Sequence, residues 1–308
     1  MKDLDEELWK LGVLAKTKHN EVAPAQHELA PIFTTTNVAT DHNQLTMDVM
    51  KKVACKHGLM CLLHEKPFAG VNGSGKHNNW SISTDTGKNI LSPGKDPINN
   101  KVFLTFLVAI IKAVHENQDL LRISVADAGN DHRLGGNEAP PAILSMFIGT
   151  DLEKVLKCIE ENLPYNEETL NSLAIDVGVL PSFKKDTTDR NRTSPFAFTG
   201  NKFEFRMLGS TANIACPNTI LNTIVAESLD YVSDYIEGKD DIDKALNEVL
   251  KKILKEHKAI IFNGNNYAPE WVVEAESRGL LNLKSSAEAL PHYTDEKNIK
   301  LFEKHGVY

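Results

Sequence analysis

Apolar side chains recur at helical spacing in five stretches of this chain. Asp41 to His57 starts at a good N-cap residue and puts Leu45, Val49, Met50 and Val53 on one face. Lys101 to Glu116 carries Val102, Phe103, Phe106, Leu107, Ile110, Ile111 and Val114 at the same period. Asp151–Glu161 reads as a short amphipathic helix, and Asn218–Ile236 and Asp243–Ile261 as long ones. Such stripes predict core-facing surfaces. Two other stretches alternate with period two. In His77–Ser83 one face takes His77, Asn79, Ser81 and Ser83, and the other takes Asn78, Trp80 and Ile82. In Phe203–Leu208, Phe203, Phe205 and Met207 oppose Glu204 and Arg206. Taken alone, each polar face reads as the solvated side of a sheet. The pattern changes near Leu208–Pro217: strands, loops and helices alternate before it, and helices dominate after it.

Composition narrows the picture. With 308 residues, 41% apolar and 25% charged, the chain has the profile of a soluble globular protein of one large or two ordinary domains. A net charge of −8 disfavours a nucleic-acid or anionic-membrane partner. No run approaches the roughly 20 apolar residues of a membrane span, and acidic, amphipathic Met1–Lys10 does not read as a signal peptide. Cys55, Cys61, Cys158 and Cys216 form no CxxC pair, so reduced, mostly buried thiols in a cytoplasmic protein are expected.

Four constellations could carry chemistry. In the run His19–Glu28, Glu21 and Glu28 would face opposite sides of a flat strand, but a one-residue bulge near Pro24 would put both carboxylates on one side. Clustered carboxylate oxygens suit a hard divalent cation. Lys66–His77 is a glycine-bearing loop entering the polar-faced strand; its glycines allow backbone N–H groups to approach an anion, although the P-loop spacing is absent. Asn130–Pro141 combines Gly135 and Gly136 with Arg133 and Glu138, as a mobile flap would. Asp189–Pro195 and Asn201–Arg206 concentrate Arg190, Arg192, Lys202 and Arg206, which suit phosphoryl and carboxylate groups.

In order and spacing these pieces resemble the glutamine synthetase family. Lys66-Pro67 through Asn72-Gly73-Ser74-Gly75, His77 and Ser81 is similar to its ATP-region signature. Glu21-Val22-Ala23-Pro24-Ala25-Gln26-His27-Glu28 looks like its paired metal carboxylates, Arg133–Glu138 like its glutamate flap, and Asn191-Arg192 and Glu204-Phe205-Arg206 like its later elements. The phrases around Lys76–Trp80 and Asn191–Gly200 are most similar to the long type III branch.

The resemblance implies an α+β fold: a catalytic domain with a curved antiparallel sheet and flanking helices, then a mainly helical C-terminal region. Residues 1–210 would belong to the catalytic domain, and 211–308 to its helical part and the start of the type III extension. It implies Mg²⁺ or Mn²⁺ at two or more sites, with Glu21 and Glu28 on one ion and His77 and Glu204 on another. ATP is the implied co-substrate, contacted by Asn79, Ser81, Arg192 and Lys202. Glutamate would be held by Asn72, Gly73, Arg133 and Arg206. Glu138, Arg133 and Arg192 would serve catalysis: phosphoryl transfer from ATP gives γ-glutamyl phosphate, and ammonia then displaces phosphate to give glutamine. Cytoplasmic location and, for a full-length family member, a homo-oligomeric ring are also implied.

The chain departs from the family pattern at three points. Asn79 stands where a second histidine is common, Ala197 where a further arginine is common, and the Arg133–Glu138 spacing is one residue shorter than usual. The family's N-terminal β-grasp domain, and the strand after it with its own metal carboxylates, have no counterpart here. The reading is therefore of a fragment. Two alternatives stay open: a glutamate ligase for another amine, and a non-catalytic assembly subunit.

Overall fold

A computed structural model describes residues 1–136, 138–164 and 192–308. The chain opens with helix α1 (Lys2–Lys10), strands β1 (Ala15–Asn20) and β2 (His27–Pro31), and helix α2 (Thr36–Lys56). Leu4 and Leu8 of α1, Val13, and Val49 and Val53 of α2 form a small core of their own, against which Leu29 and Met50 pack. Helix α2 begins at Thr36, ahead of the expected Asp41, and the Thr40 hydroxyl donates back to the Thr36 carbonyl at 2.8 Å. A threonine satisfied in this way tolerates the first helical turn.

The main sheet has the order β3 (Gly75–Trp80), β6 (Phe203–Gly209), β5 (Phe196–Phe198), β4 (Met146–Phe147). It is mixed: β3–β6 and β5–β6 are antiparallel, whereas β4 and β5 run parallel. Strand β6 is buried along its whole length. Phe203 stacks on Phe196 with ring centroids 4.8 Å apart, and Phe103 of the helix layer reaches Phe198 at 6.0 Å. Glu204 and Arg206, on the opposite face of β6, are also buried, at 1% and 5% exposure. That face is thus not the solvated side of a sheet that alternation alone suggests. Two buried charges must be paired, and here they pair with each other.

Helix α3 (Lys101–Glu116) has the bounds its apolar period predicts, with the Asn100 side chain accepting from Phe103 N at 3.1 Å. Two short helices follow, α4 (Gln118–Ile123) and α5 (Ala128–Arg133). Then come α6 (Thr150–Glu161), α7 (Ala215–Ile236) and α8 (Ile242–His257), which pack in a layer with α3. The last helices, α9 (Pro269–Ser277), α10 (Ser286–Ala289) and α11 (Glu296–Lys304), join the same apolar core through Trp271, Ala275, Ala289 and Phe302. Helix α10 starts in a full capping box between Ser285 and Glu288. The described residues contain no helix long and apolar enough to cross a membrane. All four cysteines are free thiols, but only Cys158 is buried; Cys55 and Cys216 are exposed and Cys61 is half-buried. Cys55 lies off the Val49–Val53 stripe of α2, which is why burial does not reach it.

Candidate active site

Glu21 and Glu28 meet across a hairpin, not along one bulged strand. His19 pairs with Glu28 and Asn20 with His27, while Pro24 lies in the connecting turn. Glu21 N donates to the Gln26 carbonyl at 3.0 Å, and Ala25 takes the left-handed conformation at φ 56°. The His19 imidazole sits between the carboxylates, with Nε2 2.7 Å from Glu21 Oε1 and 2.9 Å from Glu28 Oε2. One ligand atom from each of the three residues lies within 4.8 Å of the others. Two carboxylates and a neutral imidazole fit Mn²⁺, and the carboxylates alone fit Mg²⁺. A single-strand reading of the segment gives His19 no role; the hairpin turn is what places it between the carboxylates.

The turn is tied to the glycine loop. The Gln26 amide donates to the Gly73 carbonyl at 3.1 Å. A Cβ on Gly73 would lie 2.5 Å from Glu138 Oε1 and would clash with the Glu65 carbonyl. One on Gly75 would overlap the Arg133 guanidinium. Both glycines therefore permit close approach, as their loop suggested. Half-buried Asn72 flanks Gly73.

Glu138 belongs to the loop expected to act as a flap. Its carboxylate accepts from Lys66 Nζ at 3.0 and 3.1 Å, and the same ammonium donates to the Val71 carbonyl at 2.8 Å. Gly135, at φ +80°, turns the loop, and its N–H donates to the Pro140 carbonyl at 2.9 Å. Arg133 ends α5 and turns inward. It donates to Asn130 Oδ1 at 3.2 Å and to the carbonyls of Leu208 and Arg206, each at 3.3 Å. Burial works against its charge, while Glu138, Tyr267 and Glu65 favour it.

On the buried charged face of β6, Glu204 Oε2 accepts from Arg206 Nε at 3.1 Å and Nη2 at 2.9 Å. His77 Nδ1 lies 3.9 Å from the same oxygen. A register shift between Lys76 and Asn78 brings the imidazole there. Arg206 Nη1 also donates to the Ser194 carbonyl at 3.2 Å. An imidazole and a carboxylate this close suit a shared divalent cation, provided the imidazole is neutral.

Asn79 and Ser81 are exposed at the far end of β3. The Ser81 hydroxyl donates to the Asn201 carbonyl at 3.0 Å, and half-buried Lys202 lies in the same β5–β6 turn. Asn79, Ser81 and Lys202 thus gather at one end of the sheet. Arg192 is exposed two residues before Ser194. Asn137 and the Asp189–Asn191 part of the basic loop lie outside the described residues.

Two groups without a role from sequence support this site. Buried Glu65 accepts from Thr211 N at 2.8 Å and packs against Gly129 and Gly209. Lys76 donates to the Ser210 carbonyl at 2.7 Å; burial brings its ammonium down to about 8, against the opposing pull of Glu65.

Comparison with known proteins gives this geometry a setting. The family described as "Glutamine synthetase, catalytic domain" matches residues 1–126, and "Glutamine synthetase C-terminal domain" matches 245–308. A glutamine synthetase of Butyrivibrio fibrisolvens is 55% identical over 313 residues, covering 100% of this chain and 44% of its own length. A type-3 glutamine synthetase of Dictyostelium discoideum is 51% identical over 310 residues, covering 100% of this chain and 42% of its own. The chain thus spans less than half the length of these relatives. Among solved structures, one titled "Apo GmaS without ligand" superposes with a TM-score of 0.53 at 15% identity, over 97% of this chain and 61% of that one. At that identity it speaks for the fold alone.

Proposed function

Because the chain belongs to the glutamine synthetase family, we propose that it supplies the metal, nucleotide and glutamate sites of an ATP-dependent glutamate–ammonia ligase. The observation that carries the reading is the convergence on one glycine loop. The Glu21–Glu28 hairpin reaches it through Gln26, Glu138 closes on Gly73, and Arg133 lies under Gly75.

In this reading Glu21 and Glu28, joined by His19, hold one divalent cation, and His77 with Glu204 hold another. Either Mg²⁺ or Mn²⁺ suits the donor sets. When bound, such ions neutralise phosphate charge during phosphoryl transfer. The chain's own groups do the rest. Arg192, Lys202, Asn79 and Ser81 bind ATP. Asn72, Gly73 and Arg206 hold the glutamate carboxylates. Arg133 acts from beneath, presenting positive charge while fastening β6. Arg192 stabilises charge on the transferring phosphoryl group. Glu138 covers the reacting carboxyl, excludes water and takes a proton from ammonium before ammonia attacks γ-glutamyl phosphate. Residues 1–210 form the catalytic part, and 211–308 its helical part and the start of the type III C-terminal extension. A full-length member of the family would be cytoplasmic and assemble as a ring.

The test is formation of γ-glutamyl hydroxamate from glutamate, hydroxylamine and ATP with Mn²⁺ or Mg²⁺. Activity that disappears in Glu204→Ala and on metal removal is the expected result. Activity that persists in Glu204→Ala overturns the metal assignment.

A further inference from the structure

Lys66 enters the glycine loop with its backbone already fixed. Its N–H donates to His64 Nδ1 at 3.0 Å, and the loop that follows is closed where Ser74 N donates to the Glu65 carbonyl at 2.8 Å. Inside that loop the ammonium donates to the Val71 carbonyl at 2.8 Å and to Glu138 Oε1 and Oε2 at 3.0 and 3.1 Å. All three of its N–H groups are thereby used. Neither the metal sites nor the ATP and glutamate contacts proposed above use this side chain.

Backbone encloses the Glu138 carboxylate from its other sides. A Cβ on Gly73 would lie 2.5 Å from Oε1 and one on Gly136 3.4 Å from Oε2, so the group sits between the two glycine-bearing loops. The flap loop is itself closed, Gly135 N donating to the Pro140 carbonyl at 2.9 Å and Gly136 N to the Arg133 carbonyl at 3.0 Å. Among the described residues, Lys66 is the cation that hydrogen-bonds Glu138. With its side chain 7% exposed, Glu138 cannot exchange that cation for water without swinging outward. Loss of the ammonium would thus release the carboxylate from Gly73. The hold does not fill the group: an ionised carboxylate offers about four lone-pair sites, and Lys66 takes one on each oxygen.

We propose that Lys66 is a positioning residue for glutamine formation: its ammonium aims the Glu138 carboxylate at the Gly73 backbone, where Glu138 takes the proton of the incoming ammonium. This rests on the site reading above. The proton passes from ammonium to a remaining lone pair of Glu138. The neutral ammonia keeps the electron pair that forms the C–N bond as phosphate leaves the γ-carbonyl carbon. Lys66 exchanges no proton and touches no reacting atom; it acts through Glu138 alone.

Two measurements on wild type, Lys66→Met and Lys66→Arg test it, at a temperature where circular dichroism shows all three folded. The first compares glutamine formation from ammonium with γ-glutamyl hydroxamate formation from hydroxylamine, which is largely unprotonated at neutral pH and needs no base before it attacks. Lys66→Met should slow kcat with ammonium roughly ten- to a hundredfold, the cost of a misplaced base, and slow it far less with hydroxylamine. The deficit should shrink as pH rises and the solution supplies free ammonia. Lys66→Arg, which can still pair with both oxygens, should keep most of the ammonium rate. The second is amide hydrogen exchange: in Lys66→Met, exchange at Gly135 and Gly136 should quicken by a larger factor than exchange in α3, which reads the general loss of stability. Equal losses with both amines, or no loss with ammonium, overturn the inference. Flap exchange that quickens no more than that of α3 overturns it too. Wild type that makes neither product overturns the site reading and with it the catalytic part of this inference, whereas the exchange result still decides whether Lys66 holds Glu138 in place.

Discussion

Lys66 and Glu138, 72 residues apart, form an ion pair that ties the glycine loop to the flap loop, with the ammonium 3.0 and 3.1 Å from the two carboxylate oxygens. The Glu138 side chain is 7% exposed and that of Lys66 24%. The pair is too buried for water to compensate fully if one partner is lost.

Lys66→Met should therefore destabilise the chain by roughly 2 kcal/mol, between the near-zero value of exposed pairs and the larger cost of breaking buried ones. Glu138→Gln should cost less, since an amide still accepts a hydrogen bond. Urea denaturation of both single variants and the double variant reads the coupling; strictly additive costs would show that the contact contributes nothing.

Gly75→Ala places a methyl group against the Arg133 guanidinium. Arg133 is anchored to the carbonyls of Leu208 and Arg206, so it yields only by giving up bonds to β6. A loss of about 1–3 kcal/mol is expected, together with weaker glutamate binding. Gly87→Ala is the control: it sits at positive φ with open space around it, so it should lower Tm by backbone strain and leave glutamate binding alone. Equal glutamate affinity in wild type and Gly75→Ala would contradict the proposed approach of loop to arginine.

His115 and His257 face each other from α3 and α8 with their Nδ1 atoms 3.0 Å apart, so one must donate and the other accept. Burial lowers both below the ordinary histidine range. Glu116 opposes this in each, Lys112 reinforces it, and Glu256 opposes it at His257. The unfolded chain, titrating near 6.5, then binds more protons than the folded one at mildly acid pH. Stability should be complete above about pH 7 and fall as pH drops below about 6.5, by at most about 1.4 kcal/mol per pH unit for each proton taken up. His115→Gln should flatten the Tm profile between pH 7 and 5; an unchanged slope would rule out the pair as its source.

Much of the fold is legible in the residues because its cause is local. The stripe from Phe103 to Val114 fixes α3 to the residue, and the Phe203–Phe205–Met207 alternation finds β6. The hairpin is not legible, because it depends on Ala25 adopting a left-handed conformation that its side chain does not advertise. Nor is the burial of Glu204 and Arg206, which follows from what covers β6 and not from β6 itself. The inward turn of Arg133 depends on carbonyls more than 70 positions away. Chemistry-bearing residues could thus be named from order and spacing, whereas which of them stand free and which are already engaged required the three-dimensional contacts.

The bonds from the C-terminal region to α4, α5 and the stretch after the flap loop bear on how the molecule comes into being. Ser286 N donates to Asp131 at 2.6 Å across 155 positions, Leu281 N donates to Gln118 across 163, and Asn282 bridges to Ile143. During synthesis every residue proposed to touch metal or ATP emerges before any of these partners exists. Until residues 281–286 are made, α5 holds to β6 through Asn130 and Arg133 and to α4 through Arg122, but Asp131 lacks its bonds from Ser286. Contacts this distant in sequence are slow to form, so the docking of this segment onto α4 and α5 should be a late step of folding.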